Sequence, residues 1–186
     1  MPLSLTTPPA TEPVTLAEAK AHLKLDTSDD DAIVTRLIAA ARARAEWHTG
    51  RAFITQGWTY WLDAWPLCRA IEIPLPPLIG VSSVTLYARD DSTSTLSPSL
   101  YTVDAASAPA RLALRPDTAP PTNLRAINAI AIAFTAGYGD ATAVPPAIKQ
   151  AILELVAHLY EHRGEAPGDL PAPALALLAP WRVLHL

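Results

Sequence analysis

Cysteine occurs once, at Cys68, so no disulfide can form within this chain. That usage suits a reducing compartment and leaves the fold to be held by burial. Charge is also scarce: Asp, Glu, Lys and Arg make up 17% of the 186 residues, against about 25% in an ordinary globular domain. Two sources fit that shortage, a surface covered by like copies or a compositional bias toward Ala and Pro. There is no basic excess either, since the formal net charge is −4. Reading a DNA duplex takes a basic face that neutralises several phosphates, and Lys24, Arg42, Arg44 and Arg51 lie on or beside helices that also carry acids. The balance excludes a DNA reader while leaving room for a wall past which DNA slides. No apolar run approaches the ~18 residues of a membrane span. The start, Met1-Pro2-Leu3-Ser4, lacks the positive and apolar regions of a secretion signal. The expectation is a soluble, intracellular protein.

What the chain does have is helical periodicity at both ends and a proline-punctuated, period-two middle. Residues 1–14 read as an extended arm. Thr15-Leu16-Ala17-Glu18 is a capping box, and Leu16, Ala19 and Leu23 at helical spacing give a short first helix. The acidic run from Asp26 to Asp31 lacks the glycine and distal glutamate of a calcium loop. A second helix is expected from about Asp30 to Thr49, with Ile33, Leu37, Ile38, Ala41 and Ala45 as its apolar stripe. Gly50 stops it, because glycine accepts the left-handed conformation that follows a helix. From Phe53 the period changes to two. Strands are expected around 53–63, 71–73, 81–88, 100–103, 111–114 and 127–135. Pro145 and Pro146 suit the first positions of a long helix, with Ile148, Ile152, Leu155, Val156 and Leu159 as its stripe, ending at Arg163-Gly164. A Pro/Gly linker from Gly164 to Pro173, at most a short helix from Ala174 to Ala179, and an apolar tail close the chain.

The fold class is therefore α+β. An antiparallel helical bundle, residues 15–50 and 145–164, carries an inserted β-rich lobe of sandwich or barrel type, residues 51–144, followed by a linker and tail at 165–186.

Two patterns invite a chemical reading. His158-Leu159-Tyr160-Glu161-His162 matches the H-x-x-E-H zinc motif on a helical segment, which would make the chain a zinc hydrolase. Against it, the downstream carboxylate ligand is missing beyond the adjacent linker, and Glu161 falls in the last turn. Trp58, Tyr60, Trp61 and Trp65 suit a sugar-stacking platform of a carbohydrate-binding module. Large residues of both parities, however, point to a strand covered on both faces. Cys68 has no nearby histidine to activate it. Phosphate loops and nucleophile elbows are absent. Neither a catalytic set nor a cofactor or metal site is expected.

The words that remain fall in a definite order. Pro13-Val14-Thr15-Leu16-Ala17-Glu18-Ala19-Lys20 and His22-Leu23 precede the acidic spacer. Then come Ala45-Glu46-Trp47-His48-Thr49-Gly50-Arg51, Ile54-Thr55-Gln56, Phe134-Thr135-Ala136-Gly137-Tyr138-Gly139-Asp140, Val144-Pro145-Pro146-Ala147-Ile148-Lys149-Gln150-Ala151 and Leu178-Ala179-Pro180-Trp181-Arg182. This series resembles the head–tail connector (adaptor) family of tailed bacteriophages, especially prophage and gene transfer agent versions.

The resemblance implies a structural protein that forms a roughly twelve-fold ring beneath the portal. It implies tail-side stopper or terminator proteins as further partners, and DNA passing through the lumen without sequence-specific binding. It also implies assembly in the host cytoplasm before incorporation at the head–tail junction. Carried onto this chain, portal contact would fall to Leu170, Leu175, Leu178, Trp181, Arg182, Val183 and Leu184. Ring contact would fall to Arg36, Arg44, Trp47, Glu154 and Tyr160. Deleting residues 174–186 is expected to abolish portal docking and leave the fold intact.

Overall fold

The computed structural model describes residues 2–163 and 168–183. The chain divides into two compact units: Met1–Pro9 with Thr55–Gly137, and Ala10–Ile54 with Tyr138–Leu186.

The second unit is helical. It holds α1 (Leu16–Leu23), α2 (Asp31–Thr49), α3 (Pro146–Glu161) and α4 (Ala172–Leu178), the last followed by a 3-10 turn at Ala179–Trp181. The capping box at α1 forms: the Thr15 hydroxyl accepts from the Glu18 amide at 3.2 Å, and the Glu18 carboxylate accepts from the Thr15 amide at 2.7 Å. Those bonds hold the Glu18 carboxyl below its ordinary range. α2 begins one residue later than expected, at Asp31. The Asp30 side chain does not cap it and accepts instead from the Tyr160 hydroxyl at the end of α3.

The buried residues of α2 are Val34, Ile38, Ala41, Ala45 and Thr49; those of α3 are Ile148, Ala151, Ile152, Leu155 and Val156. Each set recurs at three and four residues, one face of a 3.6-residue helix. With Val14, Ala19, Phe53, Ile54, Val144, Ala174 and Leu178 they form one apolar core.

The described residues of the other unit form eight strands: β1 (Leu3–Thr7), β2 (Gln56–Leu62), β3 (Ala70–Ile73), β4 (Leu78–Tyr87), β5 (Thr93–Thr95), β6 (Tyr101–Asp104), β7 (Ala110–Leu114) and β8 (Ile130–Ala136). They form two antiparallel sheets, ordered β1-β2-β8-β4-β5 and β3-β7-β6. β8 sits centrally in the larger sheet, where Ile132 faces Tyr60 on one side and Val84 on the other. Its Ile130, Ile132 and Phe134 are buried, with small alanines between. Ile71, Ile73, Ala110, Leu112 and Leu114 are the buried residues of the smaller sheet's β3 and β7.

Several expectations are corrected. The extended arm expected at residues 1–14 is held at both ends of its described part. Leu3–Thr7 pair with β2, and Val14 is buried in the helical core. β1 leaves little period-two signal because neither of its faces is buried: only Leu3 is partly covered and the rest of the strand is exposed. Phe53 and Ile54 precede the first long strand and belong to the helical core. The β unit ends at Gly137 and not at 144, since Tyr138, Ala141 and Val144 pack with the helices. Ile127 is 70% exposed and lies outside β8. The span 165–186 is not simply linker and tail, because α4 contributes Ala174 and Leu178 to the core. Deleting from residue 174 therefore removes core, so that deletion cannot leave the fold intact.

Candidate functional site

α2 carries the surface around which the predicted residues gather. Its outward side ends in Trp47, 91% exposed, a large apolar ring left in solvent close to the end of the helix at Thr49. Beside it lies an open groove of about 540 Å³ lined by Ala43, Arg44, Trp47, His48, Gly168, Asp169, Leu170 and Leu175. The Arg44 guanidinium donates to the Gly168 carbonyl at 2.6 Å and so fixes one wall against the other. Sequence reasoning had put Arg44 and Trp47 in one role and Leu170 and Leu175 in another. The fold brings all four into this groove.

The C-terminal segment is docked on the base of α2. Gly50 takes φ +68° there, the left-handed conformation that turns the chain out of the helix. The Val183 amide donates to the Thr49 carbonyl at 2.8 Å, and Arg51 Nε donates to the Trp181 carbonyl at 2.5 Å. The Trp181 ring stands edge-on to Tyr138, with centroids 6.1 Å apart and planes at 85°. Arg182 is exposed and its charge, after burial, helps push the His48 imidazole below its ordinary pKa.

Of the residues expected to meet a portal, Leu178 is corrected. It is wholly buried in the helical core and has no side-chain surface for a partner. Leu170, Leu175, Trp181 and Val183 are half-buried. Leu184 lies outside the described residues.

Of those expected at a ring contact, Arg36 is exposed on α2. Glu154 accepts from Gln150 Nε2 at 2.9 Å on α3. Tyr160 is engaged within its own chain: its hydroxyl donates to Asp30, and Arg163 lies over its ring at 4.2 Å. That hydrogen bond to the carboxylate raises the Tyr160 pKa.

Sequence reasoning missed one structural cluster. The Arg42 guanidinium donates to Glu12 at 2.7 Å and to Glu46 at 2.6 Å, and the second oxygen of Glu46 accepts from the Phe53 amide at 2.8 Å. Burial works against the guanidinium's charge; the two carboxylates more than offset it, and its pKa stands above the usual arginine value. The Arg42–Glu46 spacing of four residues was a visible signal. Glu12, thirty residues away, was not.

The two alternative chemistries find no support in the geometry. His158 and His162 stack with centroids 4.3 Å apart, and His162 Nδ1 lies 2.9 Å from the His158 carbonyl oxygen, a contact in which the ring nitrogen donates. Among the described residues no three His, Cys, Asp or Glu side chains come together as a metal site. Trp58, Tyr60 and Trp61 lie along β2, half-buried in the middle of a sheet, with Trp61 packed on Tyr87 at 5.8 Å. Trp65 is buried, its indole N–H donating to the Arg69 carbonyl at 3.2 Å.

A large apolar ring left in solvent beside an open groove is a surface suited to a protein partner. The particular family follows from comparison. The profile of the phage gp6-like head-tail connector family matches residues 13–167, and the chain belongs to that family. Its role is that of a structural head–tail connector.

Three similar solved structures come from gene transfer agent (GTA) particles. One is a chain of the neck of an empty GTA particle computed with C6 symmetry, 26% identical with a TM-score of 0.86. Another belongs to the virion of a native GTA particle, 26% identical with a TM-score of 0.83. The third is from the neck of a native GTA particle computed with C12 symmetry, 25% identical with a TM-score of 0.83. Each alignment covers 100% of this chain and 97% of the other. No curated protein matches the chain. Among the described residues no helix is long and apolar enough to cross a membrane.

Proposed function

We propose that the chain is a non-enzymatic adaptor that closes into a roughly twelve-fold ring at the junction of capsid and tail in a phage or gene transfer agent particle. The observation that carries this reading is the end-to-end similarity, 100% of this chain against 97% of the other, to a protein in a particle neck computed with C12 symmetry. A heterologous contact repeated about an axis closes into a ring, and a chain with only 17% charged residues has surface to spare for such contacts. In this reading the portal protein lies on one side and the tail-side stopper or terminator on the other. DNA passes through the lumen, and assembly takes place in the host cytoplasm. The portal-facing residues are Leu170, Leu175, Trp181, Arg182 and Val183; the ring residues are Arg36, Arg44, Trp47 and Glu154.

The test is native mass measurement and electron microscopy of the full chain mixed with the portal protein of its own particle. A closed ring stacked on the portal is expected, with the same ring at the neck of mature particles. Particles complete with tails but devoid of this chain would overturn the reading. Arg182→Glu, at an exposed position beyond the last helix, is expected to weaken portal binding about tenfold, on the scale of placing a like charge at a contact. Because no core residue is touched, circular dichroism should not change.

A further inference from the structure

The outward faces of α2 and α3 match each other. On α2 the side chains opposite the buried stripe are Arg36, Ala40, Ala43 and Trp47, all exposed. On α3 they are Gln150, Glu154, Ala157 and Glu161, with Gln150 and Glu161 exposed and the other two partly so. Both sets lie half a turn from the core residues of their own helix, by the 3.6-residue period. α2 and α3 are packed together through their core sides, so the two outward faces look to opposite sides of the helical unit. A head-to-tail ring needs two unlike faces on opposite sides of each copy.

Three features make these faces complementary. The first is charge: α2 offers Arg36, while α3 offers Glu154 and Glu161. The second is size, since Ala40 and Ala43 on one face and Ala157 on the other allow close approach of two helices.

The third is register. Asp30 at the start of α2 bonds to Tyr160 at the end of α3, so the two helices run in opposite directions within one copy. Successive copies in a twelve-fold ring differ by a rotation of about 30°. The α2 of one copy therefore also runs nearly antiparallel to the α3 of its neighbour. Read in that sense, α2 steps 36, 40, 43, 47 and α3 steps 161, 157, 154, 150, the same spacing of four, three and four residues. Arg36 then meets Glu161, Ala40 meets Ala157, Ala43 meets Glu154, and Trp47 lies along Gln150.

We propose that the occupant of the exposed α2 face is the outward α3 face of a second copy of this chain, antiparallel and in this register, with Arg36 paired to Glu161. The proposal rests on the ring reading above and adds the pairing of faces.

The experiment uses the full chain with Cys68→Ser, so that introduced cysteines are alone. Ala40→Cys and Ala157→Cys chains are purified separately, mixed with portal rings and oxidised. Cross-links between the two variants are expected to exceed those within either variant at least about tenfold, because only the unlike faces meet. A chain carrying both substitutions should give a ladder that ends at the closed ring. Without introduced cysteines, Arg36→Glu and Glu161→Arg should each lower ring yield about tenfold, by placing like charges face to face. The two together should restore it. Rings of normal mass that cross-link at 40 and 157 no better than a control pair at Ala40 and Ser82 would overturn the pairing and leave the ring reading standing. Failure of the unsubstituted chain to form any ring on the portal would overturn both.

Discussion

The helical unit and the β unit bury apolar surface by different means. In the helical unit two long elements lie side by side, alanines in α2 let α3 approach, and polar clasps sit where segments enter and leave. Arg42 ties the incoming Glu12 to Glu46, which in turn holds the outgoing Phe53 amide. In the β unit the longest strand has ten residues and the shortest three, and a central strand, β8, supplies much of the larger sheet's interior. Its polar clasps hold loops: Arg69 donates through one nitrogen to the carbonyls of Arg115, Pro116 and Thr118. The contrast teaches that the helical unit is organised to fix helix faces, and the β unit to fix connections.

The strongest way to break that contrast is to hollow each core in turn. Ile152 and Ile132 are both wholly buried. Replacing either by alanine is expected to cost roughly 3 kcal/mol, from lost transfer energy and the cavity left behind. If each unit stands on its own core, Ile152→Ala should lower the melting of the helical signal at 222 nm and spare the near-ultraviolet signal of Trp58, Trp61 and Trp65, read in a Trp47→Phe, Trp181→Phe background. Ile132→Ala should do the reverse. Identical shifts of both signals in both variants would show the division into two cores to be energetically empty.

The clasps give a smaller and sharper comparison. The side chains of Arg42 and Glu46 are only 14% and 13% exposed, so removing the guanidinium strands carboxylates that have little water. Arg42→Ala is expected to cost about 2 kcal/mol, below the full penalty of a buried ion pair because Glu12 keeps partial solvent. Arg69→Ala removes charge-assisted bonds to carbonyls near the surface and should cost about 1 kcal/mol. Urea titration of both variants measures the difference. Equal losses would mean that burial does not separate the two clasps.

Legibility from sequence followed the same division. α2 and α3 were readable because a 3.6-residue stripe persists over many turns and because Gly50 and the Pro145-Pro146 pair mark ends with a mechanism. The capping box at Thr15 was readable for the same reason. β1 and β5 were not: both are short, rich in Thr and Ser, and at sheet edges, where pairing is by backbone and side chains carry little pattern. Gly57 in β2 held a clue. A Cβ there would come within 3.0 Å of Thr7, the mark of another strand in close approach. That is visible only once the partner strand is known. The site divides likewise. The exposed placing of Arg36 followed from helical phase, whereas the meeting of Arg44 with Gly168 joins positions 124 residues apart and depends on tertiary structure. Leu178 was misplaced because an apolar helix after a linker looks the same whether it waits for a partner or fills its own core.

The smallest effect concerns acid. In the turn between β6 and β7, the Asp104 carboxylate accepts from the Ser107 hydroxyl at 2.6 Å, from Arg111 at 2.7 Å, and from the Ala106 and Ser107 amides. Those donors, Ser107 first and Arg111 next, hold its carboxyl well below the ordinary aspartate value of 3.8. A depressed folded pKa means that the folded chain binds its proton less readily than the unfolded one. The contribution to stability is therefore complete above pH 3.8 and is lost as pH falls further, through the folded pKa. Asp104→Asn should flatten this part of the acid-unfolding profile and lower the stability of the β unit at neutral pH, where the carboxylate's contribution is complete. The carboxylate lies at the surface, so salt should shrink the effect. A profile below pH 3.8 that is the same in the variant and the parent would show that this turn, unlike the Arg42 clasp, holds its shape through backbone geometry alone.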